Sequence, residues 1–120
     1  MIRLELSWPV SFSSYFNGRL IRSRRGRIQR DQWITEVCSI LGGKPEPLIG
    51  PVCLEVWLHP PNTKTYTTKP WDQDNYMGKA QIDILNQCEL FNDDSQVWDF
   101  LVHKRGHVKR GQVIVELSEI

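Results

Sequence analysis

The chain has 120 residues, with 15 Lys and Arg against 14 Asp and Glu and 40% hydrophobic residues. That size and balance fit one soluble globular domain over 1–120, large enough to bury a core without staples. They exclude a membrane-spanning helix, which needs roughly 18 consecutive apolar residues, and three widely spaced cysteines exclude a disulfide framework.

Ile2, Leu4, Leu6 and Trp8 alternate with polar residues, which predicts a strand over 2–8 and not a signal peptide. Trp8-Pro9 ends it. Residues 10–28 are rich in Ser, Asn, Gly and Arg and read as a long loop or arm. Trp33, Ile34, Val37, Cys38, Ile40 and Leu41 have helical spacing, so a helix is expected over 29–41, closed by Gly42-Gly43. A Pro/Gly connector follows. Val52, Leu54, Val56 and Leu58 then alternate with Glu55, Trp57 and His59 in a second strand, 52–59, stopped by Pro60-Pro61. The second face of that strand is either an interface between copies or is covered by helix 29–41.

Residues 60–71 read as an exposed loop. A helix after Asp74 places Met77, Ala80, Ile84, Leu85 and Cys88 on one side. Two last strands are expected at 97–103 and 112–118, joined as a hairpin by the basic turn 104–111. The sum is an α+β domain with a mixed sheet of about four strands and two main helices. Cys38, Cys53 and Cys88 are each flanked by apolar residues and are expected to be buried free thiols in a reducing compartment.

Charge is segregated along the chain. Residues 19–30 hold Arg19, Arg22, Arg24, Arg25, Arg27 and Arg30 and no acid. Residues 72–99 hold seven acids against Lys79 alone. Asp72 and Asp74 precede the second helix, and Asp93 and Asp94 follow it. In an extended segment residues i and i+2 point to one side. Such carboxylates can act as caps and turn formers, or converge on Mg²⁺ or Mn²⁺, which prefer hard oxygen ligands. Acids holding a metal beside arginines holding a polyanion point to phosphodiester chemistry. Arg22, Arg24, Arg25 and Arg27 form one candidate DNA-binding cluster, and Lys104, Arg105, Lys109 and Arg110 a second. Tyr15, Phe16, Tyr66 and Trp71 are loop aromatics able to stack on bases or to pack internally. His59, His103 and His107 are read as strand and turn residues.

Four blocks, Asp72-x-Asp74-Asn75, Lys79, Asp83-x-Leu85 and Asp93-Asp94-x-Gln96-Val97, resemble the RusA family of Holliday junction resolvases. The resemblance is strongest over 70–102 and weaker at Leu6-Ser7-Trp8-Pro9. It implies a RusA-like fold and a small homodimeric, Mg²⁺-dependent endonuclease, of a kind common in phages and prophages, that nicks two opposed strands of a four-way DNA junction in the bacterial cytoplasm. It matches Asp72, Asp74 and Asp94 to the family's metal-binding acids, with Asp93 beside the third, and Lys79 to its catalytic lysine. One departure is an extra residue before the lysine: Tyr76, Met77 and Gly78 stand where the family has two. Either the helix starts after Asp74 or a bulge near Gly78 absorbs it. The alternatives are a non-catalytic DNA-binding protein that keeps the fold, and a structural Ca²⁺ site, for which the usual loop pattern is missing.

Overall fold

The computed structural model describes residues 1–17, 21–68 and 70–120. Arg19, in the basic segment, and Lys69, in the loop before Asp72, lie outside them. The two alternating stretches and the two last expected strands form β1 (Ile2–Leu6), β4 (Val52–His59), β5 (Val97–Lys104) and β6 (Gln112–Glu119) of one sheet in the order β1-β6-β4-β5. β6 is antiparallel to both β1 and β4, while β5 runs parallel to β4. Leu4, Val115, Val56 and Val102 therefore lie in one row across the sheet. Leu4, Val56 and Val115 are fully buried there, on the face that the helices cover.

Two helices supply that cover. α2 (Arg24–Leu41) lays Gly26, Gln29, Trp33 and Val37 inward at helical spacing and ends at Gly42, whose φ of 73° suits a left-handed cap. α4 (Lys79–Gln87) buries Ala80, Gln81, Ile84 and Leu85, with Met77 and Cys88 buried at its ends. Tertiary bonds fix α2 to the chain after β1. Trp33 Nε1 donates to Ser7 O at 2.9 Å, and Glu36 Oε1 accepts from Ser7 N at 2.8 Å.

Three expectations are corrected. Residues 104–111 do not close a hairpin, because β6 lies on the far side of β4 from β5. Pro60-Pro61 ends the pairing of β4, and the basic segment crosses that strand end: Arg105 N donates to Leu58 O at 2.9 Å and Val108 N to Pro60 O at 3.0 Å. Residues 10–28 are not one loop. They hold the short helix α1 (Phe12–Tyr15), a two-stranded ribbon, β2 (Phe16–Asn17) and β3 (Ile21–Arg22), and the first turn of α2. Ser23 starts α2 early, its Oγ accepting from Gly26 N at 3.0 Å. Only glycine fits at 26, since a Cβ there would lie 2.2 Å from Tyr15 O. Finally, only Cys88 is buried; Cys38 is exposed on α2, Cys53 is half-buried, and all three are free. Burial pushes the Cys88 thiol up to about 11.

The second face of β4 is not covered by α2, which packs on the Val52 side. Glu55, Trp57 and His59 stay half-buried on an open sheet face, where Trp57 stacks on His103 at 5.5 Å. No helix among the described residues is long and apolar enough to cross a membrane.

Candidate active site

Asp72 and Asp74 lie on a single 3₁₀ turn, Gln73–Asn75, which is separate from α4. Asp72 caps it, Oδ1 accepting from Asp74 N at 3.3 Å. α4 thus begins after Asp74, with Lys79 as its first residue and Gly78 before it. A late helix start therefore absorbs the extra residue, without a bulge. Gln81 Oε1 accepts from Gly78 N at 2.9 Å and fixes the start.

The segment that carries Asp72 is held from two sides. Trp8, Tyr66, Trp71 and Tyr76 form a ring cluster with centroids 5.1 to 6.1 Å apart. Trp8 Nε1 donates to Tyr66 Oη at 3.1 Å. Loop aromatics are here internal packing, as is Tyr15, which is buried. The short helix α3 (Lys64–Thr67) presents Tyr66 to this cluster. From β5, Lys104 Nζ donates to Trp71 O and lies 4.5 Å from the centre of the Trp71 ring. Lys104 therefore braces the residue before Asp72.

Asp93 and Asp94 sit at a second 3₁₀ turn, Asp94–Gln96, between α4 and β5. Asp93 Oδ1 accepts from Ser95 N at 2.9 Å. That backbone N–H, followed by the Asp94 side chain, holds the Asp93 carboxyl below the usual carboxylate range. A lowered folded value means that Asp93 favours folding at neutral pH, and that this is lost as pH falls through the lowered value. Asp94 Oδ2 accepts from Lys79 Nζ, which also donates to Asp83 Oδ1 at 3.3 Å. These bonds, Asp94 first, raise the Lys79 pKa. Lys79 is thus an ammonium at neutral pH, suited to hold an anion and not to accept a proton.

All four acids offer hard oxygen donors, the chemistry that Mg²⁺ requires. Among the described residues, however, no three His, Cys, Asp or Glu side chains come together as a metal-binding group. Like charges repel, and each of three acids has taken a local donor: Asp72 and Asp93 cap turns, and Asp94 pairs with Lys79. The donor set fits the ion in kind, and Asp72, Asp74 and Asp94 are the residues that could hold it.

The two basic clusters differ in their surroundings. Arg24, Arg25 and Arg27 stand on the first turn of α2, where the helix dipole disfavours cations and no acid offsets them. Arg22 and Arg27 join Tyr15, Phe16, Ala80, Asp83 and Gln87 around a pocket of about 470 Å³. Asp83 links this pocket directly to Lys79. Lys104, Arg105, Lys109 and Arg110 do not form one patch. Lys104 is spent on Trp71, Arg105 borders the open sheet face near Trp57, and Lys109 and Arg110 border Ser7 and Glu36. The histidines bond elsewhere: His59 Nδ1 to Gly106 O at 2.9 Å, His103 Nε2 to Glu55 Oε2 at 2.7 Å and His107 Nε2 to Tyr66 O at 3.0 Å.

Gln96 is a residue whose role sequence reasoning missed. Its Oε1 accepts from Asn92 N at 2.7 Å and Asp93 N at 2.9 Å, and its Nε2 donates to Leu48 O at 3.0 Å and Gly50 O at 2.9 Å. It pins the acidic turn to the segment before β4. The capping spacing Asp93-x-x-Gln96 was the available signal. Gln96→Met keeps the bulk and removes these bonds, leaving four backbone groups to find water. A loss of about 1–3 kcal/mol in urea unfolding is expected, and a loss under ~0.3 kcal/mol, within the range of an ordinary surface substitution, would show that the turn stands without it.

No curated protein matches the chain. Residues 28–118 match the family described as Endodeoxyribonuclease RusA, a span that takes in both acidic turns, α4 and all of β4 and β5, and leaves β1 and the arginines before Ile28 outside. With most of its length in that match, the chain belongs to the RusA family of endodeoxyribonucleases.

Proposed function

We propose that this protein is a Mg²⁺-dependent, structure-selective DNA endonuclease that resolves Holliday junctions by paired, symmetric nicks in recombination and repair. The observation that carries this is Lys79, a cation bonded to Asp83 and Asp94 and set beside an arginine-lined pocket. Asp72, Asp74 and Asp94, with Asp93 alongside, would hold Mg²⁺, with Mn²⁺ as a substitute. The bound ion supplies a water of lowered pKa and offsets phosphate charge. Lys79 contacts the phosphate as an ammonium. Arg22, Arg24, Arg25 and Arg27 track the DNA backbone, and the helix start beneath three of them favours the same anion. The non-catalytic alternative rested on the extra residue before Lys79. The late start of α4 absorbs that residue and leaves Lys79 bonded to Asp94, which removes the feature the alternative rested on.

One set of proposed catalytic acids per chain and two symmetric incisions require two chains, so the working unit is a two-fold homodimer. The same reading puts the protein with DNA in the bacterial cytoplasm, consistent with three free thiols. Incubation with a synthetic four-way junction, with and without Mg²⁺, tests the reading: nicks that need both the ion and the branch support it. Equal nicking of linear duplex, or none at all, contradicts it.

The arginines have their own test. Arg24→Gln with Arg25→Gln should weaken binding to junction and duplex alike. The slope of log affinity against log salt should fall by about one for each phosphate that is no longer neutralised. An unchanged slope would make these arginines ordinary solvated side chains.

A further inference from the structure

β5 is the outer strand of the sheet, and its far edge has no strand partner among the described residues. It carries three large apolar side chains in the open, Trp98 at 69%, Phe100 at 39% and Leu101 at 48% exposure. Edge strands are normally blunted by proline, lysine, short length or bulges. This one is eight residues long, has no proline, and has its charges at Asp99 and at the terminal Lys104. Its irregularity lies at one end, where Val52 faces Val97 and Cys53 already faces Asp99, so Trp98 is the extra residue.

The strand's own sequence identifies what covers it. Backbone groups alternate along a strand. Arg105 N donates inward to Leu58 O, so Phe100 and Val102 turn their N–H and C=O to the free edge. Two antiparallel copies about a two-fold axis place residues of the same sheet face opposite each other. With Leu101 opposite its own copy, Asp99 faces His103 of the second copy and Phe100 faces Val102. The first pair sets two polar side chains together, the second is apolar and hydrogen-bonded through the backbone. Leu101 with Leu101 is the close, non-hydrogen-bonded pair. Centring on Phe100 would instead set Asp99 against Leu101.

We infer that β5 is the self-association surface of this protein: two copies pair antiparallel along β5, centred on Leu101, and join their sheets into one. This rests on the two-fold dimer proposed above and locates it. The open face of β4 is the weaker surface, because Trp57 is already stacked on His103 and is ringed by Arg3, Glu55 and Glu116.

Cross-linking and sedimentation test the register. In a Cys38→Ser, Cys53→Ser background, Leu101→Cys is expected to form a covalent dimer on mild oxidation, and Asp99→Cys is not. In the native sequence, Leu101→Lys sets two ammoniums face to face and should weaken dimerisation by ~100-fold, with its fold checked by circular dichroism. Should that variant not fold, the cysteine pair still decides. A wild-type mass of twice 14.0 kDa that is unchanged by Leu101→Lys and gives no Leu101→Cys cross-link overturns the β5 seam and leaves the dimer standing. A monomeric wild type at all concentrations overturns both.

Discussion

Asp94→Asn is expected to lower nicking by about 10²-fold or more while junction binding survives. The substitution removes one anionic oxygen from the proposed ion-binding set, and it replaces the carboxylate partner of Lys79 with a neutral amide, leaving Asp83 as the only carboxylate bonded to that ammonium. In the proposed mechanism both changes act on the reacting phosphate, and neither touches the arginines assigned to the DNA backbone. Binding can even tighten, since one negative charge near the DNA is gone. Asp74→Asn should behave alike for the ion but leave Lys79 bonded to Asp94. The two variants differ in a second readout. Asp94 is the first cause of the raised Lys79 pKa, so only Asp94→Asn should bring the Lys79 titration back toward its ordinary value. Single-turnover nicking with parallel gel-shift binding measures the main effect. A wild-type rate for either variant in Mg²⁺ would remove these acids from the site.

Trp33→Ala is expected to cost about 3–5 kcal/mol of stability, a large share of the ~5–15 kcal/mol that holds a typical domain. Trp33 is fully buried at the centre of α2, so its removal leaves a cavity that the flanking Gln29 and Val37 cannot fill. Its Nε1 also donates to Ser7 O at 2.9 Å, joining α2 to the end of β1. Trp33→Phe separates the two effects: it keeps most of the volume and loses the bond. Urea unfolding at constant slope should rank wild type above Trp33→Phe above Trp33→Ala. A Trp33→Ala loss under ~1 kcal/mol, below the range for emptying a core aromatic site, would mean that the helix does not depend on this anchor.

How much of this was legible in the sequence depends on the range of each signal. Period-two runs predicted β1 and β4, because alternation is local and each strand has one covered face; β5 and β6 were expected as the two last strands. The stripe in α2 was legible from Trp33 onward, but not its start. Ser23 and three arginines look like loop chemistry, and only the approach of Gly26 to Tyr15 O explains why the helix begins there. The supposed hairpin failed for a related reason. Two strands joined by a Gly-rich basic turn have the local pattern of neighbours, and nothing local reports that β4 lies between them. In the site, the acids and Lys79 were legible as types and spacings. Their actual partners were not, since the Lys79–Asp94 bond spans α4 and the brace from Lys104 to Trp71 comes from another strand. That Lys104 also lies over an indole was not legible either, since a lysine in a basic run gives no sign of the ring beneath it.

Junction resolution itself is read by mapping incisions on a four-way junction held in a small circular plasmid, where one binding event can cut two strands. Mg²⁺-dependent nicks are expected at matching positions on two opposed strands, appearing together as linear product without a nicked-circle intermediate. Single nicks that accumulate independently on either strand, or cutting that ignores the branch, would mean that this protein is not a resolvase.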